Sequence, residues 1–198
     1  MITQSISSWL LPGATVLALL FLISIYNGLV RARNAVANAL AQISVQLQRR
    51  YDLIPNLVET AKRYLAHEKS TLEAVTEARN TAAQAAKRLA GEGTQSALTA
   101  LAGAETVLEG ALGRLFALQE SYPDLKADRT MAQLSEELAS TENRVAFARQ
   151  AYNDSVMAYD NKRLSFPSSL LAGLFGFAGY ESWQLESPEA RQAMRVSF

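Results

Sequence analysis

The sequence predicts an all-α protein: an N-terminal transmembrane helix, then an antiparallel bundle of long helices, with a short apolar segment broken by Gly and Pro near the C-terminus. Three observations point there. The first 30 residues carry no charged side chain. The body carries long apolar stripes at alternating steps of three and four, the period of one helix face. No stretch alternates with period two, so no sheet is expected. Only 10 Gly and 5 Pro occur in 198 residues, several of them clustered, which suits long uninterrupted elements. The resulting division is 1–30 for the leader with its span at about 9–26, 31–163 for the bundle, and 164–198 for the apolar segment and tail.

The span is the run WLLPGATVLALLFLISIY, residues 9–26. As a helix it reaches about 27 Å, close to the thickness of a hydrocarbon core. Trp9, Leu11, Val16, Leu19, Leu20, Phe21, Leu22, Ile23, Ile25 and Tyr26 are the residues expected inside the bilayer. Trp9 and Tyr26 close its ends, where amphipathic rings favour the headgroup level. A cleaved signal peptide needs a basic start and a small-x-small site. Here no Lys or Arg precedes Arg31, and LISIYNG offers a poor site. Arg31, Arg33, Arg49 and Arg50 all precede the first acid, Asp52, so the positive-inside rule puts the bundle in the cytoplasm and the N-terminus outside.

The first seam runs Val36, Leu40, Ile43, Leu47, Arg50, Ile54, Leu57, Ala61, Leu65, Leu72 and Val75. Pro55 interrupts it. A proline inside a helix removes one hydrogen bond, so a kink or break is expected near Asp52–Ile54, with Asp52 able to cap a new helix. Gly91-Glu92-Gly93 is turn chemistry, and Thr94 or Ser96 can cap the next helix, which runs to about Gln119. That helix carries Leu98, Leu101, Leu108, Leu112, Leu115 and Leu118. Gly103, Gly110 and Gly113 mark either an exposed face or close approach to a neighbour. Residues 121–124 read as a loop, with Asp128 a cap. The third seam, Met131, Leu134, Leu138, Thr141, Val145, Ala148, Tyr152, Ser155 and Tyr159, is the cleanest, over a helix of residues 129–163. Such seams are hidden only by packing on one another or on other copies.

Polar residues interrupt the seams, and unpaired they would each cost about 1–3 kcal/mol. Cross-helix pairs are therefore expected among Arg50, Glu59, Glu142, Asn143, Arg149 and Asn153, chiefly as a layer that fixes register. The stretch LSFPSSLLAGLFGFAGY, 164–180, is again free of charge. Pro167 and three glycines disfavour a straight span. An interfacial or subunit-contact role is expected for Phe166, Pro167, Leu170, Leu171, Leu174, Phe175 and Phe177. Folding back onto the bundle is the alternative.

Signals of chemistry are few. Balanced charge, 19 Lys+Arg against 19 Asp+Glu, removes the footprint of a general nucleic-acid binder. No cysteine is present, and the single histidine, His67, sits in no metal-ligand spacing. Neither a P-loop nor a G-x-S-x-G turn occurs. No metal, no cofactor and no small-molecule substrate are expected. An enzyme built on Glu59, Glu142 and Asp154 is the remote alternative.

The segments QRRYDLIPNLVETAKRY (48–64), YPDLKA (122–127), ELASTENRVAFARQAYND (137–154) and FPSSLLAGLFGF (166–177), with the closing Val196-Ser197-Phe198, resemble the LemA family of bacterial membrane proteins. The resemblance covers about Tyr26 to the C-terminus. It departs at Leu40, where Trp is common, and at Ser44, where Asp is. It implies a transmembrane helix, an antiparallel bundle, a link to membrane organisation and no established enzymatic activity. The expectation is thus a single-pass inner-membrane scaffold bound to the lipid bilayer that forms a homo-oligomer. An adaptor for another membrane protein, such as a protease, is the rival.

Overall fold

The computed structural model describes the backbone of residues 2–183 and the side chains of residues 12–183. Six helices follow in order: α1 Ile2–Lys62, α2 Lys69–Glu92, α3 Gln95–Ser121, α4 Pro123–Ala127, α5 Arg129–Leu164 and α6 Ser168–Leu174. No strand occurs among the described residues. α1 packs along α5 and against α2, α2 packs on α3, and α6 closes against both α1 and α5.

α1 is the spine. Its first part stands clear of the other helices, with Val16, Leu17, Leu19, Leu20, Phe21 and Ile23 all more than half exposed. This part is long and apolar enough to cross a membrane. Burial begins at Gly28 and Leu29, and the seam then goes under at Val36, Ile43, Leu47, Arg50, Ile54, Leu57 and Ala61. α5 runs antiparallel beside it. At one end the Tyr64 hydroxyl donates to Asp128 Oδ2 at 2.9 Å. At the other, the Lys162 ammonium lies over Gly28, its Nζ 2.7 Å from where a Cβ would stand. The α5 seam buries Met131, Leu138, Thr141, Val145, Tyr152 and Tyr159, while Ser155 gives way to Val156.

Pro55 does not break α1. The expected break at Asp52–Ile54 is absent, and Asp52 caps nothing; its carboxylate accepts from Gln48 Nε2 at 2.7 Å on the surface. The carbonyl that Pro55 leaves without its i+4 donor is that of Tyr51. Arg79 of α2 donates Nε–H to that oxygen at 3.0 Å. The lost backbone bond is replaced from a neighbouring helix, and the rod continues to Lys62. The chain turns instead at residues 63–68, where Leu65 is fully buried.

The other ends follow local chemistry. Gly93 adopts φ +60 and donates to Leu89 O at 2.8 Å, closing α2 in a conformation a side chain would resist. Thr94, rather than Ser96, caps α3 by accepting from Ala97 N. Residues 123–127 form a helical turn rather than a loop, because Pro123 at its first position needs no donor. Asp128 caps α5 by accepting from Met131 N at 2.9 Å. That bond, first, and the Tyr64 hydroxyl hold the Asp128 carboxyl below the usual range. Gly103, Gly110 and Gly113 face open space, so they mark an exposed face and not a close approach.

Candidate functional site

Two features carry the polar and apolar groups singled out above: an ion cluster at mid-bundle and a strip at the end where α1 emerges.

The cluster centres on Arg50, which is 3% exposed. Its Nη1 meets Glu105 Oε2 of α3 at 3.0 Å, and its Nη2 meets Glu142 Oε2 of α5 at 2.9 Å. Glu109 lies at 3.9 Å, and Arg149 reaches the other oxygen of Glu142 at 3.7 Å. Tyr51 donates its hydroxyl to Glu105 Oε1. One guanidinium thus ties α1, α3 and α5 at one height. Two guanidiniums face three carboxylates. Burial, the largest cause, pushes the Glu105 carboxyl up, against the opposing pull of Tyr51 and Arg50. Burial and the Glu142 charge do the same to Glu109. The Tyr51 phenol is raised too, by burial first and then by the Glu105 charge.

Of the residues expected in this network, Arg50, Glu142 and Arg149 come together. Glu59 does not: it lies nine residues along the rod from Arg50, about 13 Å at helical rise, and pairs with Lys62 on the surface. Asn143 is exposed, one residue and about 100° of helical turn away from Glu142. Asn153 sits 11 residues beyond Glu142, about 16 Å along α5, and serves another element. Its side chain brackets Trp183, donating Nδ2–H to the carbonyl at 3.1 Å and accepting from the amide at 2.7 Å.

Asn153 is one of three clamps on an extended strap after α6. Tyr159 donates to Ala178 O at 2.8 Å and Tyr152 to Glu181 O at 3.0 Å. Trp183 is 4% exposed. The strap therefore lies along α5, held by its backbone. Residues 184–198, including the closing Val196-Ser197-Phe198, fall outside the described residues.

The apolar segment 164–180 divides. Phe177 and Ala172 are buried, and Leu171 and Pro167 half-buried. Phe177 folds onto the bundle, with the Arg33 guanidinium 5.4 Å from its ring centre. Phe166, Leu170, Leu174 and Phe175 stay exposed, at 82%, 67%, 78% and 56%. Tyr26 adjoins this strip edge-on, 5.0 Å from Phe175 and 5.7 Å from Phe177. Leu22, Ile23 and Tyr26 are exposed on α1, and Ile25 is partly covered. Trp9 and Leu11 lie outside the described side chains.

Chemically, the cluster is an ion network in which Arg50 and Arg149 are shared among three carboxylates and link α1, α3 and α5. Glu105 and Glu109 were not expected from the sequence, and Tyr51 was marked only by the family resemblance and not as a member of this network. A signal for Glu105 existed: it fills the seven-residue gap between Leu101 and Leu108 at a helix-face step. His67 is exposed, and among the described residues no group of three or more His, Asp or Glu is placed to hold a metal.

A family model described as the LemA family matches residues 39–198. Among characterised proteins, magnetosome protein MamQ of Magnetospirillum gryphiswaldense is 28% identical over 174 residues, covering 79% of this chain and 63% of that protein. Magnetosome proteins MamQ 1 and MamQ 2 of Paramagnetospirillum magneticum are 28% identical over 175 residues, 80% of this chain and 64% of each. The chain spans less than two thirds of the length of these relatives.

Proposed function

Because the chain belongs to the LemA family, we propose that it is a non-enzymatic, membrane-anchored scaffold that associates with copies of itself at the bacterial inner membrane and organises or remodels that membrane. The observation that carries the proposal is the single helix α1. Its apolar run is exposed along residues 12–24, and the same rod becomes the spine of the bundle. An exposed run of that length and hydropathy belongs in lipid. Tethering copies in one plane raises their effective concentration, so weak lateral contacts suffice for assembly. The basic residues that follow the run favour a cytoplasmic bundle and an outward N-terminus. The similarity to magnetosome proteins supports a membrane role.

A second reading, an adaptor for another membrane protein, is favoured by one feature. A groove of about 1040 Å³ runs between α1 and α2, floored by Val58, Leu65 and Leu72 and rimmed by Lys62, Lys69, Glu73 and Glu77.

Crosslinking in native membranes, followed by sizing of gently extracted full-length protein, separates the readings. The scaffold predicts a ladder of self-crosslinks extending beyond the dimer. A single copy at every concentration contradicts it, and crosslinks dominated by one foreign membrane protein favour the adaptor.

A further inference from the structure

The geometry points to a second membrane contact: the strip formed by Phe166, Leu170, Leu174 and Phe175 enters the bilayer interface as a shallow wedge beside the emerging α1. The inference rests on the membrane anchoring proposed above, and not on self-association.

α5 runs antiparallel to α1, so its C-terminal end is delivered to the level at which α1 leaves the bundle. There the chain turns at Ser165 and lays α6 against both rods. The strip's height is fixed by Tyr26, whose ring touches Phe175 at 5.0 Å and which ends the apolar run of α1. A tyrosine in that position marks the headgroup level. Leu170 and Leu174 are one helical turn apart and so share a face of α6, and both are more than 60% exposed. The segment 164–180 contains no charged residue to resist burial in lipid.

Cations stand just behind the strip. Lys162 Nζ rests against Gly28, two residues after Tyr26, and the Arg33 guanidinium covers Phe177 on the bundle side. Arg31, three residues beyond Gly28 on α1, is exposed. Apolar groups toward the bilayer with basic groups at the boundary is the pattern of an interfacial element. A bilayer supplies an apolar medium at that height around every anchored copy, so the strip needs no protein to cover it. The wedge also adds apolar volume to one leaflet only, on the bundle's side.

The absence of native cysteine permits a direct test. Full-length protein carrying a single spin label at Leu170→Cys or Leu174→Cys is reconstituted in nanodiscs of phosphatidylglycerol and phosphatidylcholine. Leu20→Cys serves as the acyl-chain control and Ser140→Cys, exposed on α5, as the aqueous one. Collision with oxygen and with a water-soluble nickel complex reports depth. Labels at 170 and 174 are expected to favour oxygen and to lie between the two controls. If they match Ser140→Cys while Leu20→Cys stays in lipid, the wedge is overturned and the anchor stands. If Leu20→Cys is aqueous as well, the anchor falls and the wedge with it. Labels shielded from both reagents and broadened by a neighbouring spin place a second copy on the strip, and also overturn the proposal. Variants are compared only where circular dichroism retains the parent helicity and melting midpoint.

Discussion

Replacing Arg50 by Met keeps most of the buried stem and deletes the charge that Glu105, Glu142 and Glu109 share. The magnitude depends on which acid is stranded. Glu142 is 39% exposed, and its pair with Arg50 is worth at most about 1 kcal/mol. Glu105 is 1% exposed, and stranding a buried charge commonly costs about 3–5 kcal/mol. Glu105 has an escape, however: it can take a proton. From an ordinary value of 4.5, protonation at pH 7 costs at most about 3.4 kcal/mol, and at pH 5 about 0.7 kcal/mol. Arg50→Met should therefore destabilise the bundle by about 2–3 kcal/mol at pH 7 and by less than about 2 kcal/mol at pH 5. For a bundle of this size that is a fall in midpoint of roughly 5–12 °C at the higher pH. The sign follows from linkage. A carboxyl whose folded pKa is raised contributes stability that is full below about pH 4.5 and declines as pH rises through the folded value. Removing Arg50 raises the folded value of Glu105 further and steepens that decline. The assay is thermal and urea unfolding of the full chain in detergent, followed by circular dichroism at both pH values. An equal loss at pH 5 and pH 7, or a loss under about 1 kcal/mol at pH 7, would refute the reasoning.

Other outcomes follow from the same geometry. Glu105→Gln can still accept from Arg50 with its oxygen and donate its amide to the Tyr51 hydroxyl but removes one titrating group, so the dependence of stability on pH between 4.5 and 7 should flatten in urea titrations. Arg79→Met orphans the Tyr51 carbonyl and should cost about 1–3 kcal/mol. In a Pro55→Ala background, where position 55 supplies its own N–H, the same substitution should cost much less, and a double-mutant cycle of unfolding energies measures the difference. Asn153→Leu removes both clamps on Trp183, and in a Trp9→Phe background its fluorescence should shift to the red as the strap lifts; an unchanged spectrum would mean that Tyr152 and Tyr159 suffice.

The seams of α1 and α5 were legible because a helix face repeats locally. Ile43, Leu47, Ile54 and Leu57 announce their burial within one window of sequence, as do Leu138, Val145 and Tyr152. Caps at Thr94 and Asp128 were legible for the same reason. Pro55 misled because what keeps α1 intact lies 28 residues further on, at Arg79, and no local rule links the two. Arg50 and Glu142 were recognisable as polar residues on or beside a seam, whereas the most buried acid of the cluster, Glu105, stands among the leucines of α3. Asn153 was recognised as needing a partner, but that partner is backbone at Trp183, and backbone leaves no mark on a sequence. The apolar segment could not be divided in advance. Whether Phe177 or Phe175 goes under depends on where Tyr26 and Arg33 stand, which the fold alone decides.

The account turns on α1 being one rod that leaves lipid at Tyr26 and enters the bundle at Leu29. Single cysteines placed in turn along residues 13–48, probed with a membrane-impermeant maleimide in inside-out membrane vesicles, where the bundle side faces the reagent, test this directly. An unbroken unreactive block up to about Tyr26 is predicted. Beyond it, Leu29, Val36, Ile43 and Leu47 should stay protected, and Arg31, Ala35 and Asn38 should react. Reactivity with a helical period already present between residues 13 and 25 would contradict it, because a rod in lipid is shielded on every face.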